Sequence, residues 1–201
     1  MAAQSRTDQL IARLASRSHG VVTRTRLLAA GVTRNEITAR IARGTLIVVH
    51  PGVYRVGHAA RSVEATYLAA VWACGEGALL MDRAAAFNYG LIKGDPPGPV
   101  VKTRPERRID GIETHRTRRD ERGTEWKGVP TTTVPATLIA LASSLTEPEL
   151  AKACHEAQVR FGVRPVPVTL NELEDRFLAI LTTEGLPLPI TNKSAGRKWV
   201  V

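Results

Sequence analysis

Five histidines (His19, His50, His58, His115 and His155) and two cysteines (Cys74 and Cys154) are the side chains of this 201-residue chain best suited to nucleophilic, acid–base or metal chemistry. Their spacing organises none of it. No HxH, HExxH or HxxE arrangement occurs, so no element offers two imidazoles to one ion. Cys154 and His155 are chain neighbours on a predicted helix, where adjacent side chains splay by about 100° and cannot form a dyad. The sequence contains no glycine-rich phosphate loop and no GxSxG elbow. The reading is no catalytic residue, no metal ligand and no cofactor. Two cysteines give no disulfide framework, and no apolar run reaches the ~18 residues of a membrane span. The N-terminus lacks the apolar core of a signal peptide. A reduced, cytoplasmic, membrane-free protein is expected.

Arginine carries the chemistry instead. The chain has a net charge of +9 at pH 7. Residues 1–58 hold nine arginines against Asp8 and Glu36, a net of +7; the remaining residues contribute +2. A concentrated basic excess calls for a polyanion, and Arg makes forked contacts to phosphate or guanine. Aromatic residues are only 4%, too few for stacking single-stranded bases, so duplex DNA is the expected partner. The competing reading is a winged helix used for protein contacts, its arginines merely solvated.

The elements that would position these arginines can be read from local signals. In TDQLIARLASR (7–17), Leu10, Ile11 and Leu14 share one helical face. Thr23 is placed to cap a second helix with Leu27 and Leu28 inside, closed near Gly31. Thr33 and Glu36 have the spacing of a capping box for a third, with Val32 and Ile37 as a hydrophobic staple and Gly44 as the stop. Leu46–Val49 and Val53–Val56 read as strands around the turn His50-Pro51-Gly52. Three helices and a β-hairpin make a winged helix-turn-helix. On the third helix Ile37 and Ile41 face inward; Asn35, Ala39, Ala42 and Arg43 point away, with Thr38 and Arg40 on the flanks. Asn35, Thr38, Ala39 and Arg43 are the expected base readers. Arg24, Arg26, Arg40 and the wing residue Arg55 are the expected phosphate contacts, and Arg34 and His50 complete the DNA-binding set.

Beyond residue 60, VEATYLAAVWACG (63–75) is a strongly apolar helix, and ALLMDRAAAFNYGLI (78–92) a short apolar piece followed by a helix near Asp82. PVVKT, RRIDGIETHRTRR and GVPTTTV alternate like short strands, and ATLIALASSL and EPELAKACHEAQVRFG read as helices. The cations of 104–122 are interleaved with Glu106, Asp110, Glu113, Asp120 and Glu121, a solvated mixed-charge hairpin. RPVPV is a linker, and LNELEDRFLAILTTEGLP an amphipathic helix with Leu173, Phe177, Leu178 and Leu181 on one face. The expected fold is mixed α/β (α+β): a winged helix-turn-helix over 1–60, a small mixed α/β domain over 61–163, and a linker and C-terminal helix over 164–201.

The stretch HGVVTRTRLLAAGVTRNEITARIARGTLIVVHPGVYRVGH resembles the N-terminal winged helix of AbiEi-type antitoxins, and more closely the actinobacterial proteins that join it to a Vsr-like, restriction-endonuclease-like module. AAVWACGEGALLMDRAAAFNYGL, IETHRTR, GVPTTTVPATLIALA and LNELEDRFLAILTTEGLPLPITN extend the resemblance. It implies a DNA-binding autorepressor, the antitoxin-like member of a type IV toxin–antitoxin pair, with a nucleotidyltransferase-type toxin as partner and the second domain serving dimer or effector contacts. Relatives carry Arg and Asp where this chain has Ala136 and Ala140. The nuclease-like module needs an Asp and a Glu-x-Lys besides the helix glutamate, which Glu174 matches. The chain ends at Val201, before such strands, so a truncated, non-enzymatic relative is expected; the alternative is a remnant or split form of a metal-dependent endonuclease.

Overall fold

The computed structural model describes residues 2–57, 62–117 and 123–163. His58 and the expectations for 164–201, Glu174 and the amphipathic helix included, lie outside the described residues. The described chain is a mixed α/β structure of seven helices and two sheets.

The N-terminal elements are α1 (Ala2–Ser16), β1 (Val21–Thr23), α2 (Arg24–Ala29), α3 (Arg34–Ala42), β2 (Leu46–His50) and β3 (Val53–Val56). Caps set the helix starts. The Thr23 side chain accepts from the Arg26 amide, and Thr33 and Glu36 form the reciprocal capping box their spacing predicts. Ile11, Leu27, Val32, Ile37, Leu46 and Tyr54 form one buried cluster, with Leu10, Leu14 and Ile41 packed against it. Val32 and Ile37 thus meet in the core, as a staple requires. β2 and β3 pair antiparallel around Gly52, whose φ of +77° is the turn conformation that favours glycine. β1 pairs with the other side of β3, giving the order β1-β3-β2. β1 is not foreseen by the sequence pattern: three residues are too few to show alternation.

The rest comprises α4 (Val63–Cys74), β4 (Leu79–Leu80), α5 (Asp82–Tyr89), β5 (Val100–Thr103), β6 (Glu113–Arg116), β7 (Gly123–Trp126), β8 (Val129–Thr132), α6 (Val134–Leu141) and α7 (Glu147–Phe161). The five-stranded sheet runs β6-β5-β4-β8-β7, with β5/β6 and β4/β8 parallel. α4 explains its own composition. It is apolar nearly all round because it is covered on more than one side. Ala65 and Ala69 pack against Val21 and Val53 of the first sheet, while Tyr67, Leu68, Val71 and Cys74 enter the core of the second. The alanines allow close approach to the first sheet. One polar link ties the same halves together, and a second braces it from α4. The His19 ring donates from Nε2 to the Lys127 carbonyl at 2.7 Å, and Lys127 pairs with Glu64 at 3.2 Å. A third core joins α5, α6 and α7, and there the Tyr89, Trp126 and Phe161 rings meet tilted or edge-on with centroids 5.1–5.6 Å apart.

Candidate nucleic-acid interface

α3 displays a polar, sterically open side. Ile37 and Ile41 turn into the core, and Arg34, Asn35, Thr38, Ala42 and Arg43 are exposed, with Ala39 half-buried between them. The helical period predicts Asn35, Ala42 and Arg43 outward, as found; Ala39, also expected outward, is half-buried, and Arg34 is exposed although the period places it beside Ile41. Arg34 opens the helix and Arg43 forms its C-cap, so cationic side chains stand at both ends of the exposed side. The Thr38 hydroxyl donates to the Arg34 carbonyl at 3.0 Å, which turns it back onto its own helix.

The neighbouring elements are pinned to one another. The Arg24 amide donates to the Gly52 carbonyl at 2.8 Å, fixing the start of α2 against the hairpin turn; the Arg24 side chain is exposed. The Arg26 guanidinium lies 4.1 Å from the centroid of the Trp72 ring of α4, a cation–π contact that orients it. Sequence reasoning missed this contact, since nothing in the spacing of two residues so far apart signals it. His50 ends β2 half-buried, and burial pushes its imidazole below the usual value, so it is neutral at pH 7 and offers a hydrogen bond rather than a charge. A bulge between Val48 and His50 leaves Val48 and Val49 of the hairpin exposed.

Two expected phosphate contacts are placed otherwise. Arg40 is 3% exposed. Its Nε donates to Asp8 Oδ1 at 2.8 Å and its Nη1 to the Glu36 carbonyl at 3.1 Å, so it fastens α3 to α1 inside the protein instead of facing a phosphate. On the helical wheel Arg40 lies about 60° from Ile37, as the exposed Arg34 does on the other side; the ion pair with Asp8 of α1 is what distinguishes them. Arg55 is not at the wing tip. It lies on the central strand, opposite Val21 and Ile47, on the face where Val21 and Val53 meet α4. It is half-buried, and its Nε has no hydrogen-bond partner. Its position follows from β1, whose addition makes β3 a central strand.

Glu36 is fully committed. It accepts from the Thr33 amide and hydroxyl, both at 2.8 Å, and from Thr7 Oγ1 at 2.9 Å. The Thr33 bonds, backbone first, then Thr7, hold its carboxyl down at about 2 against an ordinary 4.5. A depressed folded value stabilises the protein above the unfolded value, and that contribution disappears as pH falls from 4.5 to about 2. A Glu36→Gln variant should therefore melt below the wild type at neutral pH. The gap in Tm should close across that acid window. A gap that stays constant with pH would show that the charge of Glu36 does not carry the effect.

Among the described residues no group of three His, Cys, Asp or Glu is placed to hold a metal ion, and no helix is long and apolar enough to cross a membrane. His115 bonds Glu113 at 2.8 Å on the exposed strand β6. Cys74 is buried and Cys154 half-buried, and burial pushes both thiols up, away from the reactive thiolate.

The crystal structure of the RV2827C protein from Mycobacterium tuberculosis is similar over 89% of this chain and 76% of that one, at 19% identity and a TM-score of 0.42. No curated protein matches the chain. Residues 9–57 match the family described as "Transcriptional regulator, AbiEi antitoxin". The stretch that holds α2, α3 and the hairpin is therefore similar to a transcriptional regulator of the AbiEi antitoxin type.

Proposed function

We propose that the N-terminal elements are a winged helix-turn-helix that binds duplex DNA, with α3 in the major groove and the β2–β3 hairpin as the wing, and that the chain represses transcription of its own operon. The observation that carries this reading is the exposed face of α3, with Asn35 between Arg34 and Arg43, inside the segment that matches an antitoxin regulator. Asn35, Thr38, Ala39 and Arg43 face base edges. Arg24, Arg26 and Arg34 hold phosphates, and His50 adds a neutral donor at the wing. The protein acts in the cytoplasm without catalysing a reaction, as the antitoxin-like member of a type IV pair whose toxin is a nucleotidyltransferase. Residues 62–163 supply the contacts to that partner or to a second copy.

The test uses the full chain and a labelled duplex pool. Affinity should be high at ~50 mM salt and fall on a log–log plot with a slope of about −0.9 per phosphate contact. Failure of the folded chain to retain duplex DNA at that salt would overturn the reading and leave the N-terminal elements as a protein-interaction module.

A further inference from the structure

The groups on α3 that can address a base are few, because most of its polar atoms are used within the protein. Both oxygens of Glu36 accept hydrogen bonds from Thr7 or Thr33. The acidic side chain of α3 therefore cannot accept from the cytosine amino group, its usual base partner. Arg40 is buried against Asp8. The Thr38 hydroxyl gives its proton to the Arg34 carbonyl. Thr38 is exposed, and with its hydroxyl proton committed the group it has left to offer a base is its methyl. Asn35 lies one turn before it on the helix, exposed, and its carboxamide has no hydrogen-bond partner among the described residues.

An amide and a methyl group, three residues apart on one helical face, match one kind of base pair. Asn forms a forked pair with N6 and N7 of adenine, and thymine alone presents a methyl group in the major groove. Residues at i and i+3 are neighbours on a helix, so the two contacts fall on adjacent steps of the duplex. We infer that Thr38 reads the 5-methyl group of a thymine beside an adenine read by Asn35, so that the bound site contains adjacent A·T pairs under the N-terminal half of α3. This rests on α3 occupying the major groove.

The experiment separates the two layers. The full chain is used to select duplexes from a random pool, and each thymine of the selected site is replaced singly by uracil, which pairs identically but lacks the methyl. One position should lose about 3- to 10-fold in affinity, the scale of one buried methyl group. In a Thr38→Ser variant, which keeps the hydroxyl bond and loses the methyl, the uracil penalty at that position should vanish. A selected site at which uracil changes nothing, or a penalty that persists unchanged in Thr38→Ser, would overturn the thymine reading while DNA binding stands. If the folded chain enriches no sequence at all, α3 does not read bases, and both the recognition role and this inference fall.

Discussion

Replacing Arg40 by alanine should lower the unfolding free energy by about 1–3 kcal/mol, the scale of losing hydrogen bonds from a charged group together with its packed stem. The side chain of Arg40 is 4% exposed, whereas that of Asp8 is 62% exposed. The asymmetry decides what is lost. When Arg40 is removed, Asp8 regains water, so little comes from a stranded carboxylate. The loss comes from the guanidinium bonds to Asp8 and Glu36 and from the arginine stem, which lies against the buried side of α3. Urea unfolding of the full chain measures this, with Arg34→Ala as the comparison. Arg34 is the exposed first residue of α3, and its replacement should stay within about 0.5 kcal/mol of wild type. Should Arg40→Ala keep the wild-type urea midpoint and yet lose DNA affinity, Arg40 would return to the set of phosphate contacts.

What the sequence reveals here follows from the range of the interaction involved. Thr33 and Glu36 announce the start of α3 because a capping box is complete within four residues. The turn at Gly52 and the two strands beside it are equally local. The outward positions of Asn35, Ala42 and Arg43 follow from the period of α3; the exposure of Arg34 does not. Arg40 and Asp8 are 32 residues apart, and no local rule pairs them. The same holds for Arg26 over Trp72. β7, Gly123–Trp126, contains one large apolar residue and so shows no alternation; it is defined by its ladder with β8, from Gly123–Thr132 to Trp126–Val129. Arg55 shows how one missed element misplaces a residue. Without β1 the hairpin is a free two-stranded wing, and an arginine on it would face a phosphate. With β1 in place, Arg55 sits mid-sheet on the face that α4 adjoins. α4 is the converse case. Its all-round apolar surface is visible in the sequence, but the reason, contact with two sheets, is not.

Asn35→Ala should cost about 1–3 kcal/mol on a selected duplex and much less on random DNA, whereas Arg24→Ala should weaken both alike. The difference follows from where each side chain begins. Asn35 stands on the face of α3 opposite Ile37, with Ala39 and Ala42 leaving room for close approach. A helix that inserts this face into the major groove brings the carboxamide to a base edge, and loss of a forked contact penalises one sequence only. Arg24 stands at the first position of α2, and its backbone is tied to the hairpin turn through Gly52. From there its side chain meets the sugar–phosphate backbone, which is the same in every duplex. Its loss should also make the log–log salt slope shallower by about 0.9, one counterion's worth. The measurement is a titration of each variant against both duplexes at several salt concentrations, with urea midpoints confirming the fold. Both substitutions are at exposed sites, so stability should change by no more than about 0.5 kcal/mol. Equal losses on the two DNAs for Asn35→Ala would remove α3 as a reader of sequence. A sequence-dependent loss for Arg24→Ala would move the base-reading surface to the start of α2.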